Sequence, residues 1–192
     1  FGNMINDKDS LKKALANHAA RAAEKLRYQD SICGGIYIFI KTNRFREQDL
    51  QYSNSAIINF DDLTDSTTII IEESFKLLES LYSSKYNYKK IGITLLGLKQ
   101  KSDNHFNNNY IIQGNLFTHK KNQQTHITES CDRMKLIDYI NIKMGKMTIF
   151  HGSQGIIKNS KNIKLEKRKW QIRSSYKSPF YTTNWDDILK VF

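Results

Sequence analysis

The sequence predicts an α+β fold, a four-stranded sheet built in the order β-α-β-β-α-β with both helices packed on one face. Three stretches carry that expectation. An alanine-rich run sets Leu11, Leu15, Ala19, Ala22 and Leu26 at helical spacing. Ile36-Tyr37-Ile38-Phe39-Ile40, entered through Gly34-Gly35, is β-branched and aromatic throughout, as a buried strand requires. Residues 88–98, opening Tyr88-Lys89-Lys90-Ile91, form a second such run. Helices that alternate with strands in this order collect on one side of the sheet and leave the other side and the edges free for a partner.

In chain order, residues 1–4 are expected as a short first strand. Asp7, Asp9 and Ser10 then offer oxygens to cap the first helix, whose other faces carry Lys12, Lys13, Arg21, Lys25 and Arg27. A polar loop over 42–48 separates the strand at 36–40 from the next, expected over 51–60 and containing Ala56-Ile57-Ile58. Asp61, Asp62 and Asp65 have the look of a carboxylate cluster. They precede Ile70, Ser74, Leu77, Leu78 and Leu81 at helical spacing, so Asp65 or Ser66 is expected to cap a helix instead of binding metal. The strand at 88–98 completes a first domain at 1–99.

A linker is expected at 100–127 and a smaller mixed extension at 128–192. Met134, Ile137 and Ile140 predict a helix over about 130–143 with Gly145 as its stop, and residues 147–150 read as a strand. Beyond them Lys158, Lys161, Lys164, Lys167, Arg168 and Lys169 have few apolar companions. Trp170, Phe180, Tyr181 and Trp185 are interleaved with basic residues, and Pro179 ends any regular element there.

Thirty Lys and Arg against nineteen Asp and Glu give the 192-residue chain a formal charge of +11. A surplus of that size favours a polyanion, nucleic acid ahead of membrane. No apolar run approaches spanning length and no signal peptide is present, so no membrane association is expected. Cys33 and Cys131 fit no disulfide framework or metal spacing, as in a reducing cytoplasm. His105, His119, His126 and His151 are scattered without ligand spacing, and no phosphate-cradling glycine loop appears. Cys33 lies at the head of a strand and reads as a buried structural thiol, not a nucleophile. No catalytic residue, metal site or cofactor is therefore expected in this chain.

Gln113-Gly114-Asn115-Leu116-Phe117 stands apart, in a polar stretch with no periodic apolar face. Leu116 and Phe117 read as loop-borne anchors with Gln113 as a polar latch, a pattern suited to a small interface with a hot spot. It resembles the peptide by which bacterial polymerases dock on the sliding clamp.

Phe1-Gly2, HAARAAEKLR (18–27), IYIFIKTNRF (36–45) and YKKIGITLLGL (88–98) fall in the order of a known domain, and the match runs on through QGNLF and LIDYINIKMGKMTIF (136–150) to YKSPFYTTNWDDI (176–188). Together they resemble the little-finger domain and C-terminal extension of UmuC-type Y-family translesion DNA polymerases, over essentially the whole chain. That resemblance implies a role in SOS DNA repair and mutagenesis, with primer-template DNA, the sliding clamp, UmuD-type subunits and RecA as partners. It implies, too, that palm and fingers precede this segment in a longer protein and hold the catalytic carboxylates and magnesium. A start at Phe1 without an initiator methionine agrees with a piece of something longer. Carried over by position, phosphate contacts fall on Lys41 and Thr42, on Tyr52, Ser53 and Asn54 opposite, and on Lys89 and Lys90. Such contacts hold a duplex without reading its sequence. The alternative is a protein-interaction module that docks UmuD-type subunits and RecA, with DNA contact incidental. A ferredoxin-like RNA binder would show an aromatic stacking pair on its central strands, and the sequence shows none plainly.

Overall fold

The computed structural model describes residues 1–101 and 123–155, with side chains described from Arg133 onward in the second segment. Asp7 starts helix α1 (Lys8–Tyr28) by accepting from the backbone N–H groups of Asp9 (3.3 Å) and Ser10 (2.9 Å). Those bonds favour the charged carboxylate, and the Ser10 contacts hold its pKa below the ordinary value. Leu11, Leu15, Ala19 and Leu26 are buried as their spacing predicts. Ala14, Ala16, Asn17 and Ala23 are buried as well, so α1 is covered on more than one side.

Strands β1 (Ser31–Thr42), β2 (Ser53–Thr64), β3 (Tyr88–Leu96) and the two-residue β4 (Lys99–Gln100) form an antiparallel sheet. β1 is central, in the order β2-β1-β3. β4 pairs with Ser31 and Ile32 in the register that sets Leu96 opposite Gly35. It therefore prolongs the β3 edge past Gly97, whose φ of +61° suits a residue without Cβ. Helix α2 (Thr67–Leu81) joins α1 on one face, and Ile36, Ile38 and Ile40 of β1 pack beneath them with Leu15, Ile70 and Leu78. Each of these side chains contributes about 1.5–3 kcal/mol by leaving water.

Three expectations need correcting. The first strand is reduced to one bridge, Ile5 with Tyr88, beside which the Phe1 nitrogen donates to the Lys89 carbonyl at 2.9 Å. Ser66 stands at the N-cap of α2 but makes no side-chain cap bond. Asp65 is committed elsewhere, its carboxylate accepting from Lys101 Nζ at 2.6 Å. Residues 147–150 form a turn, with Met147 at φ +69°. There the Asn141 amide accepts from the Ile149 N–H (2.8 Å) and donates to its carbonyl (2.9 Å), filling bonds that a neighbouring strand would otherwise supply.

Arg27, one of the basic residues on the other faces of α1, ties three helices together. Its Nε and Nη2 donate to Asp138 of α3 (Gln123–Met144) at 2.5 and 2.9 Å, and its Nη1 donates to the Asp65 carbonyl (2.8 Å) and Thr67 Oγ1 (2.9 Å). Gly145, at φ +110°, follows α3 as expected. The chain then returns through a 3-10 turn, Gly152–Gln154, where the Gln154 carbonyl accepts from the buried Asn17 amide at 2.9 Å. The 3-10 turn is thus seated against α1.

Candidate nucleic-acid interface

The face of the sheet opposite the helices is built by alternation along the strands. Register places Ile57-Tyr37-Thr94 in one row, Ser55-Phe39-Gly92 in the next and Ser53-Lys41-Lys90 in a third, at the end of the sheet. The centre is apolar and aromatic. The end is cationic, with Lys41, Lys90 and Ser53 all exposed.

Tyr37 and Phe39 sit side by side here, ring centroids 6.2 Å apart, on the central strand. The sequence reading missed this pair because Ile36, Ile38 and Ile40 between them made the run look wholly buried. Strict two-residue alternation in a sheet with one covered face was the available signal. Phe39 lies flat over Gly92, where a Cβ would come within 2.4 Å of Phe39 Cε1. Lys41 Nζ sits 5.3 Å from the centroid of the same ring, a cation–π arrangement. The glycine lets the ring lie down, and the ring steadies the lysine beside the cationic row.

The seven residues assigned to DNA contact divide by strand parity. Lys41, Ser53 and Lys90 share the open-face row. Thr42, Tyr52, Asn54 and Lys89 have the opposite parity. The Thr42 hydroxyl is engaged inside the hairpin, accepting from the Tyr52 N–H at 2.9 Å. Tyr52 donates its hydroxyl to the Leu81 carbonyl at the end of α2 (2.9 Å) and stacks on Tyr86 at 4.4 Å. Asn54, exposed, donates to the Tyr52 hydroxyl at 3.1 Å, and Lys89 is half-buried along the β3 edge. Gln113, Leu116 and Phe117 lie outside the described residues.

Chemistry of other kinds finds little support in the geometry. Cys33 is buried, its thiol set against the Thr64 carbonyl at 3.2 Å, and burial pushes its pKa up to about 11. A thiol held protonated is a poor nucleophile. Among the described residues no group of three or more His, Cys, Asp or Glu could hold a metal ion. A cleft between α1 and α3 is lined by His18, Arg21, Glu24, Asp138, Lys146 and His151 among others. Burial lowers the pKa of both histidines, and Arg21 beside His18 and Arg27 beside His151 add to that effect.

Residues 1–108 match the model of the impB/mucB/samB family C-terminal domain, and residues 134–191 match a domain of unknown function. The chain is 29% identical over 191 residues to Protein UmuC of Salmonella typhimurium (strain LT2), covering 100% of this chain and 40% of that protein. It is 30% identical to Protein SamB of Salmonella typhimurium over 188 residues and 30% identical to Protein MucB of Escherichia coli over 189, in each case 98% of this chain and 39% of the relative. It thus spans about 40% of the length of these relatives. With more than half of its residues inside the family's C-terminal domain, the chain belongs to the impB/mucB/samB family.

Proposed function

We propose that this chain is the DNA-binding and clamp-docking C-terminal part of an error-prone translesion DNA polymerase acting in SOS DNA repair and mutagenesis. The observation that carries the proposal is the Ser53-Lys41-Lys90 row at the end of a sheet face that no described element covers, in a chain of charge +11. Two ammonium groups and a hydroxyl in line suit consecutive phosphates. The aromatic centre beside them suits the sugar faces of the groove. Asn54 and Lys89 flank the row, while Thr42 and Tyr52 set the hairpin that presents it. None of these groups reads a base, which fits a polymerase that must tolerate damaged templates.

Anisotropy titrations with primer-template DNA at several salt concentrations test the reading. The parent should bind with strong salt dependence and no sequence preference. Lys41→Ala with Lys90→Ala should weaken binding and flatten the slope of log affinity against log salt by about two units, near 0.9 for each phosphate no longer neutralised. Equal binding by parent and double variant at every salt concentration would remove the assigned face.

The same reading gives Gln113, Leu116 and Phe117 to the sliding clamp, with UmuD-type subunits and RecA as further partners in the cytoplasm. A contact this short should be micromolar, about −8 kcal/mol, and Leu116→Ala with Phe117→Ala should abolish it in calorimetric titration with purified clamp. Nucleotide incorporation, with its magnesium, is assigned to a palm outside this stretch. Primer extension that copurifies with the chain would contradict that assignment. A second role as a docking module is favoured by α3, which exposes Leu136, Tyr139 and Ile142. Loss of duplex binding on changing Lys41 and Lys90 alone would show that DNA contact is not incidental. Among the described residues no helix is long and apolar enough to cross a membrane.

A further inference from the structure

We propose that the β1–β2 hairpin loop, through Phe45 in its first turn, stacks on an unpaired nucleobase next to the duplex held by the Lys41 row. Phe45 is 87% exposed, yet it sits on a well-tied loop. Gln51 Nε2 lies within bonding distance of three loop carbonyls, those of Asn43 (3.2 Å), Arg46 (2.7 Å) and Asp49 (3.1 Å). The Arg46 N–H donates to the Asn43 carbonyl at 3.1 Å, and the Phe45 N–H donates to Asn43 Oδ1 at 3.3 Å. At the base, the Thr42 N–H donates to the Tyr52 carbonyl at 2.9 Å. Loop order therefore owes nothing to the Phe45 ring, which leaves that ring available for a partner. A ring held ready on an ordered loop forfeits little freedom when it binds.

Its surroundings identify the kind of partner. Arg44 and Arg46 flank it, Arg46 paired with Asp49 of the same loop at 3.4 Å, and the loop begins two residues beyond Lys41, at the cationic end of the open face. Phosphates alone need no aromatic ring, and a paired base inside a duplex offers no free π-face. An unpaired base does, and an aromatic side chain beside cations is how proteins hold single strands without reading sequence. The inference rests on the duplex-binding reading of the open face. It adds a place for the strand where pairing stops.

Three labelled DNAs test it with the 192-residue chain: a blunt duplex, the same duplex with a single-stranded template overhang carrying 2-aminopurine at its first unpaired position, and the overhang strand alone. The parent should prefer the overhang duplex to the blunt one by about tenfold, with altered 2-aminopurine fluorescence. Phe45→Ala should erase both the preference and the fluorescence change and leave blunt-duplex binding and the melting temperature as they were. Phe45→Trp should keep both. Lys41→Ala with Lys90→Ala should weaken both duplexes while the preference persists. The proposal falls if Phe45→Ala leaves the preference intact, or if the parent shows none. It falls equally if that variant weakens blunt and overhang duplexes alike, since the ring would then act as a wedge between paired bases. Phe45-dependent binding of the overhang strand by a parent that ignores blunt duplex would instead retain the loop contact and reject the duplex reading.

Discussion

Six consecutive residues of β1 face two different worlds. Ile36, Ile38 and Ile40 are buried beneath the helices, while Tyr37, Phe39 and Lys41 look out from the other side of the same backbone. On the covered side the requirement is volume, and three isoleucines meet it against Leu15, Ile70 and Leu78. On the open side, which no described element covers, the requirement is a flat surface compatible with water. Phe39 lies on Gly92 and Lys41 covers Phe39, so the apolar centre is partly shielded and ends in charge. One face uses its side chains for folding. The other keeps them for a partner.

The sharpest way to break that contrast is to cut a covered residue. Ile38→Ala should cost about 2–5 kcal/mol in denaturant unfolding, because the cavity it leaves adds to the forfeited transfer energy. Its DNA salt slope under native conditions should be unchanged. Arg27→Ala comes next, at about 2–3 kcal/mol. It strips Asp138, Thr67 and the Asp65 carbonyl of a donor, but Asp138 keeps some exposure to water, which reduces the penalty below that of a fully buried pair. Hydrogen exchange should show α3 losing protection before the sheet does.

Acidification acts on the same joint. His18 and His151 have folded pKa values below their unfolded ones, so the unfolded chain binds more protons between the two. Stability should be full above pH about 6.5 and decline as pH falls through the lowered folded values. Replacing His151 with Asn should flatten that decline in pH-dependent melting curves.

Smaller effects belong to the open face. Gly92→Ala should cost about 1 kcal/mol by lifting the Phe39 ring, a movable neighbour, and should weaken DNA binding more than stability. Lys41→Ala with Lys90→Ala should shift stability by no more than about 0.5 kcal/mol. A large loss of stability in this last variant would mean that the two faces are not divided between folding and binding as described.

Much of the frame follows from local residue order alone. Asp7 as the cap of α1, the alternating run of β1, the strand at Tyr88 and the stop at Gly145 all follow from preferences that act within a few residues. Family resemblance was equally legible, since it resides in strings. Tertiary structure decided which groups meet. Lys41, Ser53 and Lys90 become one row only through a register that joins three strands, and the same register turns Thr42 and Tyr52 inward. Nothing local to Arg27 separates it from Lys25, yet Arg27 is held by Asp138, 111 residues further on. Local propensity depends on neighbours in the chain and can be read from them. Pairing across long separations is selected by the packing of the whole fold, which no single stretch contains.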